Sequence, residues 1–155
     1  MKNKMIGFIG CGNIGKAMLG SLISSGEIRK ENIIVSAKTE ASKEVIEKEF
    51  AVKATNDNKE VAAKANIIFL AVKPHFFKEV IAEIKDVVSK DAIIVSIAAG
   101  ITIEQIEEYF GFAVKVIRTM PNTPALVGEG MSAICKNKHI DEEELKEVCS
   151  LFNYF

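Results

Sequence analysis

Apolar residues in this chain alternate between short continuous runs and longer stretches at helical spacing. Met5 to Ile9 is a short apolar run, and after a glycine-rich loop Ile14, Met18, Leu19, Leu22 and Ile23 recur on one helical face until Ser25-Gly26. This predicts a strand followed by a helix. Ile33 to Ser36 predicts the next strand, and Ala41 to about Phe50 the next helix, with Val45, Ile46 and Phe50 turned inward. Val52 to Ala54 reads as a short strand, Asn58 to Lys64 as a brief helix and Ile67 to Val72 as a continuous apolar strand. Pro74 stands where it can open a helix, which the spacing predicts over Phe76 to Val88. Ala92 to Ile97 is another apolar strand, broken by Ala99-Gly100, and Thr102 with Gln105 forms a capping box for a helix to about Tyr109. Ala113 to Ile117 gives a further strand. After Arg118 come a proline-bounded loop over Thr119 to Pro124, a short strand over Met131 to Cys135 and an amphipathic helix over Asp141 to Phe152. Strands alternating with helices, several of them apolar on both faces, imply a doubly wound α/β domain. Its sheet is mainly parallel and carries helices on both faces.

The composition adds exclusions. With 155 residues, 48% apolar and 26% charged, the chain is neither disordered nor collagenous and fits one domain over residues 1–155. A chain of this length buries about 68–70% of its unfolded surface and needs no disulfides to hold a core. Twenty basic and 21 acidic residues give a net charge of −1 without blocks of one sign, so no nucleic-acid partner is expected. No apolar run approaches the roughly 18 residues that span a bilayer, and the start is too short for a signal peptide. No membrane partner and a cytoplasmic location are therefore expected. Three cysteines, Cys11, Cys135 and Cys149, form no C-x-x-C pair, which predicts reduced thiols and no metal site. The apolar end at Leu151, Phe152, Tyr154 and Phe155 is expected to be buried against a following domain.

The chemistry concentrates at predicted strand ends. The first strand runs into Gly10-Cys11-Gly12-Asn13-Ile14-Gly15, a G-x-G-x-x-G that opens a helix. Gly10 would make the tight turn, Gly12 would let a pyrophosphate approach the backbone, and Gly15 would let helix pack on strand. The pyrophosphate would rest on the free N–H groups of the helix N-terminus. A tight turn, or a site for another nucleotide such as S-adenosylmethionine, shares this signature. At the end of the second strand, where an NAD site carries a carboxylate, the chain reads Ser36-Ala37-Lys38-Thr39. Two hydroxyls and an ammonium suit a 2′-phosphate and favour NADP over NAD, whereas a merely polar loop would read the same way. Ala71-Val72-Lys73-Pro74 ends another strand, correctly placed to line a cofactor or simply to start a helix. Ala98, Ala99 and Gly100 follow Ser96-Ile97, where small residues leave room for a nicotinamide ring or serve close packing. Arg118-Thr119-Met120-Pro121-Asn122-Thr123-Pro124 is a stiff polar segment suited to positioning a substrate at the crevice mouth, or a proline turn with a solvated arginine. His75 and His139 read as solvated or capping residues. Cys11 stands at a helix N-terminus, which lowers a thiol pKa, but no base accompanies it.

Taken in this order, the glycine loop, Ala71-Val72-Lys73-Pro74, Ser96 to Gly100 and the Arg118 to Pro124 segment resemble pyrroline-5-carboxylate reductase over essentially the whole chain. The resemblance implies a Rossmann-type NADPH-binding domain in which Ile9 to Ile14 hold the pyrophosphate and Ser36 the phosphorylated ribose. It also implies that Asn58 contacts the cofactor, that Ala71 to Pro74 line it, and that Met120, Pro121, Asn122 and Thr123 form the substrate side. The reaction implied is hydride transfer to the C=N carbon of 1-pyrroline-5-carboxylate, giving L-proline. Family members continue into an all-helical C-terminal domain that forms the homo-oligomer and supplies most of the substrate pocket, and catalytic residues are expected there. This chain stops where that domain would begin, so it is expected to bind NADPH and turn over poorly alone. A catalytically silent NADP-binding module is the competing reading. A related imine or hydroxy-acid reductase is a third, and it would need a catalytic lysine on a second domain.

Overall fold

The computed structural model describes residues 1, 3–122 and 131–155. Apolar runs become the strands β1 (Ile6–Ile9), β2 (Ile33–Ser36), β4 (Ile67–Leu70) and β5 (Ile93–Ser96), each buried along its whole length. Short β3 (Lys53–Thr55), longer β6 (Lys115–Pro121) and β7 (Ser132–Lys136) complete a sheet in the order β3-β2-β1-β4-β5-β6-β7. Strands β1 to β6 are parallel, whereas β7 runs antiparallel to β6. The helices are α1 (Asn13–Ser25), α2 (Glu40–Phe50), α3 (Asn58–Lys64), α4 (Phe77–Ile84), α5 (Ile103–Phe110) and α6 (Glu142–Phe152). None of them is long and apolar enough to cross a membrane.

Because side chains alternate along a strand, the sheet feeds two separate cores. Ile6, Phe8, Val35, Phe69, Val95 and Ile117 face α1, Ile46 of α2 and α6 on one side. Ile9, Ile34, Ile68, Leu70, Ile94 and Val116 face α3, α4 and α5 on the other. At the centre of the first core Phe8 and Phe69, paired in register, stack with ring centroids 4.8 Å apart.

Several expected boundaries move. Residue Val45 is 47% exposed rather than inward, because only Ile46 of that pair points at the sheet. Strand β4 ends at Leu70, and the stretch predicted as one helix from Phe76 begins as a 3₁₀ turn over Pro74–Phe76 before α4. That helix closes early, since Val87 donates to the Ile84 carbonyl three residues back. Strand β6 starts later than expected and runs to Pro121, so Thr119, Met120 and Pro121 are strand rather than loop. The extension exists because Met120 pairs with Ala133 and Pro121 with Ser132, a contact between distant segments. Thr123 and Pro124 lie outside the described residues. Leu151 and Phe155, expected to await another domain, are buried in this domain's own core, with Phe152 and Tyr154 packed beside them.

Gly7, in the middle of β1, is also dictated by packing. A Cβ there would come within 2.6 Å of Val61 Cγ1 and 2.7 Å of Ala65 Cβ, so α3 rests directly on the strand backbone. Gly7→Ala is expected to destabilise the domain by about 1–3 kcal/mol, the usual cost of overpacking. Urea unfolding should show a lower midpoint at an unchanged slope; an unchanged midpoint would mean that α3 retreats freely.

Candidate functional site

In the strand order, β1 has β2 on one side and β4 on the other, so the chain winds away in opposite directions and leaves a crevice outside the strand ends. A cavity of about 720 Å³ opens there. Its floor is built by Gly10, Cys11, Gly12 and Asn13 from the β1–α1 turn and by Ala71, Val72 and Lys73 after β4. Ser36, Ala37 and Lys38 after β2 close one side, with Asn56 and Asn58 beside them.

The three glycines of the loop have different reasons to be glycine. Gly10 has φ +78°, donates its N–H to the Ser36 carbonyl at 3.2 Å, and would carry a Cβ 2.6 Å from Val72 Cγ1. It is required by the fold. Gly15 lies in the first turn of α1 with its hypothetical Cβ 3.3 Å from Ala71 Cβ, which sets how closely the helix meets the end of β4. Gly12 differs from both. Its φ of −74° suits any residue, and a Cβ there would meet nothing within 4 Å. Nothing within the described fold requires glycine at that position; the open space lies beside the start of α1.

The start of α1 is correspondingly bare. No side chain caps it and no acidic residue stands in its first turn. By contrast α2, α3, α5 and α6 are capped by Thr39, Asp57, Thr102 and Asp141, each with a glutamate in the first turn. The positive dipole end of α1 thus faces the cavity with neither a capping side chain nor an acidic residue of its own first turn to offset it.

Around the second strand the hydroxyls are already engaged. Ser36 Oγ donates to Asn58 Oδ1 at 2.6 Å, and Asn58 Nδ2 donates to Glu83 Oε2 at 3.0 Å. Thr39, expected to face a phosphate, instead accepts from Ser42 N at 3.1 Å as the cap of α2, and Ser42 lines the cavity in its place. Lys38 stays at the mouth with its ammonium 5.0 Å from the centre of the Phe76 ring. Lys16, Lys38 and Lys73 face the cavity against Glu79 and Glu83.

Not all expected residues meet here. Ile9 is wholly buried in the sheet, Ile14 packs on the core, and Pro74 begins the 3₁₀ turn behind Lys73. Ala98 is buried and Ala99-Gly100 turn after β5, on the same edge of the sheet but outside the cavity lining. Met120 and Pro121 end β6 farther along that edge, and Asn122 Oδ1 accepts from Met131 N at 2.9 Å. Thr123 lies outside the described residues. Lys16, Ser42, Val45, Asn56, Phe76, Glu79 and Glu83 line the cavity without having been anticipated. Phe76, Glu79 and Glu83 stand at helical spacing, but spacing alone does not say that this face is the one turned to the crevice.

Cys11, read from the sequence as a small loop residue at a helix start, carries a thiol shifted in the opposite direction from what the helix end alone would give. Burial pushes its thiol up to about 11, outweighing the opposing pull of Lys16, with Glu49 adding to the rise. Desolvation outweighs the helix end, which keeps the thiol protonated at neutral pH.

Fold and site together define a Rossmann-type nucleotide-binding domain. A family model described as NADP oxidoreductase, coenzyme F420-dependent, matches residues 5–100, and the chain belongs to that family. It is 43% identical over 152 residues to the pyrroline-5-carboxylate reductase of Escherichia coli (strain K12), a match covering 98% of this chain and 56% of that one. The structure of a pyrroline-5-carboxylate reductase from Coxiella burnetii superposes with a TM-score of 0.93 at 31% identity, covering 99% of this chain and 57% of that one. A Plasmodium falciparum pyrroline carboxylate reductase, solved with NADP bound, gives 0.89 at 33% identity, covering 99% and 56%. A prephenate dehydrogenase from A. aeolicus at 16% identity shares the fold alone. The chain spans about half the length of the curated relatives it matches.

Alkylation tests the state of Cys11. Exposed Cys135 should react with iodoacetamide at pH 8 while Cys11 stays largely unmodified, its rate climbing only as the pH nears 11. Peptide mass spectrometry would read both sites, and equal labelling at pH 8 would contradict the buried thiol.

Proposed function

We propose that this chain is the cofactor-binding part of an NADPH-dependent reductase that converts 1-pyrroline-5-carboxylate to L-proline. The observation that carries the cofactor half is the open space beside Gly12, at the bare N-terminus of α1, inside a cavity at the point where the winding of the sheet reverses. A side chain would fill that space, whereas a pyrophosphate can use it and accept from the free N–H groups of the helix. The substrate half rests on the similarity to pyrroline-5-carboxylate reductases over nearly the whole chain.

When bound, NADPH supplies the hydride for the C=N carbon. What this chain contributes is geometry. Gly10 and Gly15 fix the loop against Ala71 and Val72, and Lys38 offers a cation where β2 ends without a carboxylate. Ala98 to Gly100 and Met120 to Asn122 continue the edge on which an imine would lie. An imine nitrogen takes its proton from water before attack, so little acid catalysis is required and positioning dominates.

Calorimetric titration of the chain with NADPH and, separately, NADH tests the reading. NADPH is expected to bind more tightly, and Lys38→Ala is expected to narrow the difference by roughly two- to fivefold, the worth of one exposed charge. Gly12→Ala should keep the fold within about 0.5 kcal/mol and yet abolish most of the binding. Failure of the parent chain to bind either dinucleotide would sink the proposal, as would a Gly12→Ala variant that binds as well as its parent.

A further inference from the structure

Asn58 opens α3 and lies half-buried at the cavity wall, held from two sides. Behind it is the buried Ser36 hydroxyl, donating to Oδ1 at 2.6 Å. In front is the Glu83 carboxylate on α4, accepting from Nδ2 at 3.0 Å. A hydroxyl can donate or accept and an amide can be turned over, so neither Ser36 nor Asn58 fixes the direction of this chain. An ionised carboxylate can only accept. Glu83 therefore decides it: the NH2 end of Asn58 must point to α4, Oδ1 must point to Ser36, and Ser36 must donate.

The consequence is what Asn58 shows the cavity. One lone pair of Oδ1 takes the Ser36 proton and one N–H goes to Glu83, which leaves the second N–H as the donor on offer. We propose that Glu83 is a positioning residue that locks the Asn58 carboxamide as a hydrogen-bond donor toward the bound dinucleotide. This rests on the cavity being the dinucleotide site. A donor at that wall matches the oxygens of a ribose or its phosphate, and a flipped amide would set a carbonyl against them. Glu83 carries out this role despite its charge, because a carboxylate on the wall repels an anionic ligand.

That opposition makes the two effects separable by sign. If Glu83 acted only as a charge, replacing it would tighten NADPH binding. If it acts by orienting Asn58, Glu83→Leu weakens NADPH binding by roughly three- to tenfold, the worth of one hydrogen bond. Glu83→Gln removes the repulsion but can donate as well as accept, so it keeps a partner for Asn58 without fixing its direction and should bind between the parent and Glu83→Leu. Glu83→Leu made in an Asn58→Ala background should cause no further loss.

Equilibrium binding of NADPH to the parent chain and these variants, followed by calorimetry, provides all four readings. Weakening by Glu83→Leu, a smaller loss with glutamine and no further loss in the Asn58→Ala background together establish the positioning role. Unchanged or tighter binding by Glu83→Leu overturns it, as does a glutamine variant that binds more weakly than the leucine one, or a loss that persists without Asn58. A parent chain that binds no dinucleotide overturns both this inference and the proposed function. A parent that binds normally while the variants misbehave overturns the inference alone.

Discussion

The close approach of the β1–α1 turn to the end of β4 is the contact on which the rest of the arrangement depends. At this point Gly10 lies against Val72 and Ala71, and Gly15 lies against Ala71, at distances where a Cβ would force the loop away. Only when the loop is drawn down in this way does the axis of α1 aim its N-terminus across the ends of the parallel strands. The Ala71 N–H donates to the Ile9 carbonyl at 2.9 Å, and the Gly10 N–H reaches the Ser36 carbonyl. One turn thereby ties the last residues of β1, β2 and β4 into a single edge. The cavity is the space left outside that edge.

The same loop separates two demands that a glycine motif usually runs together. Gly10 answers to the fold, whose atoms would collide with a side chain, and Gly15 to a tight contact with Ala71, whereas Gly12, the N-cap of α1, has no atom of the described chain where its side chain would stand. A residue type that costs conformational entropy without a packing reason points to something outside the protein. The helix behind it lacks both a capping side chain and an acidic first turn, so its N–H groups and dipole remain available. Geometry and electrostatics thus converge on an anionic group at one place.

How far this was legible in the sequence depended on the range of the interaction. The sequence pattern located β2 and α3 at their observed limits, because both are short segments set by local signals. Thr102 with Gln105 likewise forms the capping box that its spacing implied. The strand over Thr119 to Pro121 was not legible, since it exists through β7, a partner that follows a separate loop. The Asn137 side chain was missed for the same reason. Buried near β6, it accepts from Val116 N and donates to the Val114 carbonyl and Glu107, satisfying groups that only tertiary structure brings together. Within the site, the backbone half was readable from glycine spacing. The wall supplied by Phe76, Glu79 and Glu83 was not, because which face of α4 meets the crevice depends on how the 3₁₀ turn at Pro74 swings the helix.

Hydroxyl chemistry at the end of β2 shows why residue type alone misleads. Reading Ser36 and Thr39 as two free donors for a phosphate treats each side chain as unattached. In the fold Thr39 is consumed in capping α2, and Ser36 spends its proton on Asn58. The donors actually presented are secondary ones: the lysine ammonium groups and an amide whose orientation is set by a neighbouring carboxylate. A site made this way can hold a polyanion while carrying two glutamates on its wall, because one of them acts through the group it orients. On the function proposed above, specificity for the ribose end of a dinucleotide would depend on the direction of a short hydrogen-bond chain as much as on the count of positive charges around it.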